Sequence, residues 1–89
     1  MKLLKFSAVW CPACLVMNPI WEEIKKQYPE IELIEYDYDI NEAEVNEWNV
    51  GSVLPVTIFL DQSGFELTRL VGEQKKSTLE ETIDVYKDM

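Results

Sequence analysis

KLLKFSAVWCPAC, residues 2–14, sets a short apolar run ahead of the chain's two cysteines, Cys11 and Cys14. Lys2–Ser7 reads as a strand. Proline is well tolerated at a first helical position, so a helix can start at Pro12 with Cys11 as its cap. The two residues between the cysteines let both sulfurs meet across the first helical turn. A helix N-terminus presents unpaired N–H groups and a partial positive charge. A thiolate on Cys11 is favoured there, and its pKa is expected to fall from the free value toward about 7. The thiolate is the attacking species in thiol–disulfide exchange, which makes Cys14 the thiol that resolves the mixed disulfide.

Beyond the cysteines, Met17, Trp21, Ile24 and Tyr28 recur at i, i+4, i+7 and i+11 and mark one helical face. Val16 and Ile20 widen it, as expected for a helix packed on a sheet. Pro19 lies inside the pattern and should kink it, and Pro29 ends it. Ile31–Tyr38 alternates near strand period, with Ile31, Leu33, Glu35 and Asp37 on one side. Asn41 with Glu44 three residues on reads as a capped helix start, with Val45 and Trp48 as its apolar contacts. Val56–Leu60 (VTIFL) is β-branched and aromatic, the composition of a buried strand. Asp61-Gln62-Ser63-Gly64 is turn chemistry, and Phe65–Val71 returns as a hairpin strand. Ser77 with Glu80 reads as a second capping box, and Leu79, Ile83 and Tyr86 give the last helix its apolar face.

The order is therefore β-α-β-α-β-β-α. A parallel βαβ unit, a hairpin and a covering helix define an α/β fold with a four-stranded mixed sheet between two helical layers, α/β/α. With 89 residues, one domain spanning 1–89 is expected.

The chain carries 17 acidic and 8 basic residues, a formal charge of −9. Phosphate binding needs clustered Lys and Arg, so nucleic acid is excluded as a partner. Such acidity serves solubility, or complements a partner with a basic docking surface. Lys5 interrupts the N-terminal apolar run and no small-residue cleavage site follows, so a secretory signal is not expected. No apolar stretch approaches the ~20 residues that span a bilayer, so no membrane role is expected and the cytoplasm is the default location. A structural disulfide would be unusual there.

A lone Cys-x-x-Cys has competing readings. A closed zinc site needs four ligands. Two Cys and no His cannot supply them within one chain, which leaves a dimer-bridging site from two such pairs. A structural disulfide is the other reading, but so small a closed loop gains little stability. The motif beside a βαβ pattern points to redox work without a metal.

WCPAC after a buried strand, Pro19 five residues beyond Cys14, Pro55 before a strand, and Gly64 and Gly72 around the hairpin together resemble the thioredoxin superfamily, over about residues 2–88. The likeness is to a thioredoxin-like fold without the extra N-terminal strand and helix of full thioredoxins, closer in length to glutaredoxins. The resemblance implies a cis Leu54–Pro55 bond facing the cysteines. The Leu54 backbone would then be free to pair with an extended substrate peptide. It also implies an apolar substrate-binding rim of Trp10, Leu54, Pro55 and the Val71–Gly72 loop around Cys11. No cofactor beyond the redox-active pair is implied, and the partners would be protein disulfides and an upstream disulfide reductase.

Three departures from the family stand out. Pro12-Ala13 occupies the motif centre where thioredoxins usually carry Gly-Pro. The approach from Val50 to Pro55 is one residue longer, with Val56 where Thr is common. The acidic residue that thioredoxins place six before the first cysteine is Lys5, and the lysine of the next strand is Glu35.

The leading expectation is a cytosolic dithiol reductant of protein disulfides. A glutathione-linked glutaredoxin-like enzyme is the alternative, although Gly72-Glu73 lacks the double glycine and following acid of that group. An interaction module that kept the fold but not turnover is a third reading, against which two intact cysteines argue. Finally, Lys5 lies in a run expected to form a central buried strand. A buried charge needs a partner or must neutralise. Glu35 on the adjacent strand would pair with it behind Cys14 and serve proton transfer; alternatively Lys5 reaches water and Glu35 is solvated.

Overall fold

Leu3, Leu4, Lys5 and Phe6 are four consecutive buried residues. They occupy the middle of the sheet in a computed structural model that describes residues 1–88. Strand β1 (Lys2–Ser7) leads into helix α1 (Pro12–Gln27), then β2 (Glu32–Asp37), α2 (Glu42–Glu47), β3 (Val56–Leu60), β4 (Glu66–Val71) and α3 (Lys76–Tyr86). The sheet order is β2-β1-β3-β4. β1 runs parallel to β2 and antiparallel to β3, and β4 pairs antiparallel with β3.

Side-chain alternation along β1 divides the interior. Leu3 joins Met17, Trp21, Ile24, Tyr28, Phe59, Leu79 and Ile83, the core under α1 and α3. Leu4 and Phe6 join Val45, Val50, Leu54, Val56, Ile58 and Leu60, the core on the α2 side. All five residues of β3 are buried, as its composition demands. Full burial of such a side chain contributes about 1.5–3 kcal/mol, so β3 is the strand that binds the two cores together.

Helix α1 runs unbroken through Pro19, whose missing N–H leaves the Leu15 carbonyl without its intrahelical partner. The buried stripe is Cys14, Met17, Trp21 and Ile24. Val16, expected to widen that stripe, is instead 56% exposed, because it points past the edge of the sheet-facing side.

Neither expected capping box forms. The Asn41 side chain makes no cap bond to α2; its Oδ1 accepts from the Asp37 N–H at 2.9 Å, tying the helix start back to β2. At α3 the cap position is Lys75 rather than Ser77, and it makes no side-chain cap bond. Helix α2 ends in a Schellman arrangement: Asn49 has φ 52°, and the N–H groups of Val50 and Asn49 donate to the Val45 and Asn46 carbonyls. The expected strand ends are trimmed, since Ile31, Tyr38 and Phe65 fall outside β2 and β4.

Candidate functional site: a cysteine pair at a helix N-terminus

β1 ends on Ser7, and the turn that follows delivers Cys11 to the N-cap of α1. Cys11 has extended backbone angles (φ −90°, ψ 110°), and its Sγ accepts a hydrogen bond from the Cys14 N–H at 3.2 Å. Pro12 fills the first helical position, where no N–H is needed. Both thiols are free. The two cysteines are equally buried, each 4% exposed, because Leu54 and Ala8 pack with the pair in one apolar cluster. Burial and the Cys11 contact push the Cys14 thiol up to about 11, against a backbone hydrogen bond at Ala8 and the charge of Lys5. A cleft of about 150 Å³ beside Cys14 is lined by Ser7, Ala8, Val9, Leu15, Asn18 and Asp37.

The loops at this end of the sheet surround the pair. The Leu54–Pro55 bond is cis, and Leu54 is buried. The Gly72 N–H donates to the Pro55 carbonyl at 2.8 Å. Gly72 has φ +88°, and a Cβ there would meet only ordinary contact with Val53, so its backbone conformation, not space, calls for glycine.

Trp10 is 57% exposed but not loose. Its Nε1 donates to Asp39 Oδ2 at 2.7 Å, and its ring meets Tyr38 edge-on with centroids 6.5 Å apart. Asp39 is itself set by a turn in which Asp37 Oδ1 accepts from the Asp39 and Ile40 N–H groups. Asp39 and Tyr38 were absent from the residues singled out in the sequence. The one signal for them is Asp37-Tyr38-Asp39, where a turn-forming aspartate precedes a second acid by two positions.

Lys5 and Glu35 lie on the face of the sheet that packs under α1, the helix that carries Cys14. Lys5 Nζ is 3.4 Å from Glu35 Oε1 and 5.6 Å above the Trp21 ring centroid. Glu35 is half exposed and shared, with Lys25 Nζ at 3.6 Å. Among the described residues, no group of three or more His, Cys, Asp or Glu is arranged to hold a metal, and no helix is long and apolar enough to cross a membrane.

Comparison with known proteins gives the same picture. The family model for thioredoxin matches residues 1–85. The thioredoxin of Staphylococcus epidermidis is 31% identical over 86 residues, covering 96% of this chain and 81% of the relative. A thioredoxin H-type protein of Picea mariana is 35% identical over 70 residues, 79% of this chain and 54% of the relative. Among solved structures, Fasciola hepatica thioredoxin superposes with a TM-score of 0.86 at 29% identity, covering 96% of this chain and 79% of that one. A thioredoxin from Nicotiana alata gives 0.87 at 29% identity, over 96% and 71%. This α/β fold with its cysteine pair defines a thiol–disulfide oxidoreductase. The chain belongs to the thioredoxin family.

Proposed function

We propose that the protein is a cytosolic dithiol reductant of protein disulfides, with Cys11 as nucleophile and Cys14 as resolving thiol. The observation that carries this reading is the Cys11 Sγ at the N-cap of α1, accepting from the Cys14 N–H. Helix N–H groups and the helix dipole favour negative charge at that position. Cys14, with its thiol pushed up to about 11, keeps its proton at neutral pH until it is needed.

The Cys11 thiolate attacks one sulfur of a substrate disulfide, and the released substrate thiolate takes up a proton. Cys14 then loses its proton and attacks Cys11 Sγ, which frees the second substrate thiol and leaves the Cys11–Cys14 disulfide. An upstream reductase restores the dithiol with two electrons and two protons. Trp10, Leu54, Pro55 and Gly72 form the surface on which the substrate lies, with the Leu54 backbone pairing to an extended segment. Pro12 supports the cap, and Lys5 with Glu35 serves the proton on Cys14. The nucleophile needs no metal or bound cofactor.

Trapping tests the assignment. Cys14→Ser should accumulate a mixed disulfide between Cys11 and a protein substrate, and Cys11→Ser should not. The reverse pattern would exchange the two roles. A redox titration against glutathione should place the couple near about −270 mV for a reductant; a value near −120 mV would mark an oxidant.

A further inference from the structure

The strand pairings gather four loops at one end of the sheet. Phe6 stands beside Tyr36 on one side and Val56 on the other, and Val56 pairs with Val71. The ends of β1, β2 and β4 and the approach to β3 therefore converge where Cys11 sits. Of the nine large apolar residues exposed among the described residues, five belong to these loops or strand ends: Val9, Trp10, Ile40, Val53 and Val71. Exposed apolar residues scattered singly are ordinary, but a concentration at one end marks an interaction surface.

The charge around this surface is predominantly negative. A cleft of about 400 Å³ beside Trp10 is lined by Tyr38, Asp39, Glu42, Val45 and Asn46, with two carboxylates and no cation. Trp10 forms its neighbouring wall through its contacts with Asp39 and Tyr38. Glu73 follows Gly72 on the other side of the site. Among the described residues, none of Asp39, Glu42 and Glu73 is ion-paired with a lysine or arginine: the ion pairs take Lys5, Lys25, Arg69, Lys76 and Lys87 elsewhere. Lys26 is in the last turn of α1, roughly 20 Å from the cysteines at 1.5 Å per residue, well beyond a Debye length of about 8 Å. Only Lys75 is a cation in the loops that bear the site.

We propose that this face selects protein disulfides whose cysteine is flanked by lysine or arginine, the cation lying in the Tyr38–Asp39–Glu42 cleft while apolar neighbours cover Trp10 and Val53. The inference rests on the reductant reading and names its substrate class. A basic side chain in the cleft meets two carboxylates and can approach the Tyr38 and Trp10 rings. An acidic segment meets like charge that no cation neutralises, so discrimination comes from repulsion as much as attraction.

The test uses three peptides that share one disulfide and differ only in flanking residues: Lys, Ser or Glu. Turnover by the intact dithiol protein, coupled to a reductant, gives kcat/KM for each. The Lys peptide is expected to exceed the Glu peptide about tenfold at low salt, with the gap closing as ionic strength rises. Glu42→Gln should shrink the Lys-to-Glu ratio several-fold, and Glu81→Gln, on α3, should leave it intact. Equal values for all three peptides, with the Ser peptide turned over, would overturn the selectivity and leave the reductant reading standing. Failure on all three peptides would remove the reductant reading, and the selectivity with it.

Discussion

Lys5 Nζ lies 3.4 Å from Glu35 Oε1 across parallel strands in which the two residues are in register. The lysine is buried and the glutamate half exposed, so the pair straddles the boundary between core and solvent. Glu35→Gln leaves the ammonium buried without its carboxylate. It is expected to cost about 1 kcal/mol, a figure lowered by solvent screening at Glu35. Adding Lys5→Met should recover most of that loss, because the charge requiring a partner is gone. Lys5→Met alone should slow resolution of the mixed disulfide several-fold, since the Lys5 charge favours the Cys14 thiolate. Chemical denaturation and stopped-flow resolution rates check both parts; additive, small effects with unchanged rates would refute the coupling.

The reduced protein should lose stability at alkaline pH. Burial raises the Cys14 thiol from 9.0 to about 11, so the folded state holds a proton that the unfolded chain releases. That contribution is fully present below pH 9 and is lost as pH rises from about 9 to about 11, by roughly 3 kcal/mol. The oxidised form has no thiol to titrate and should lack this loss. Urea denaturation of both forms from pH 9 to pH 11 compares them directly; groups common to both, such as Tyr28, cancel, and the reduced Cys11→Ser variant isolates the Cys14 thiol.

Asp39→Ala should loosen Trp10 with little cost to folding, because the bond it removes is exposed. Stability is expected to fall by less than about 1 kcal/mol. The Trp10 indole N–H should exchange with solvent faster, and kcat/KM toward a protein disulfide should drop several-fold. Asp39→Asn keeps an oxygen acceptor and should restore the slow exchange. NMR of the indole protons reads this out; unchanged exchange in the alanine variant would show that Tyr38 alone holds the ring.

The class of fold was legible because apolar periodicity is a property of each segment and survives without its neighbours. β3 read as buried from VTIFL alone, and α1 from the spacing of Met17, Trp21 and Ile24. That Lys5 and Glu35 lie on adjacent parallel strands was legible too, since a βαβ unit sets its two strands side by side, but their register is a matter of the folded sheet. The caps were not. Asn41 has the right chemistry for a helix cap, but its Oδ1 is taken by the Asp37 N–H, a competition settled by the loop path. The support of Trp10 was hidden for a related reason. Asp39 lies 29 residues away, and only the folded loops bring them together. The cysteines announced themselves as a pair, yet their equal burial depends on Leu54, which arrives from the far side of α2.

The strand order leaves β2 and β4 at the rims of the sheet, and unpaired rims invite stacking of one molecule on another. Each rim is guarded in its own way. β2 is six residues long and carries Glu32, Glu35 and Asp37, so a second copy aligned along it would bring carboxylates face to face. β4 carries Arg69 clamped to Glu66, and its pairing with β3 is interrupted by an irregularity at Phe59/Leu60 that disturbs the edge a newcomer would copy. The acidity that sets the net charge thus also opposes the pairing of one copy on another along these two borders.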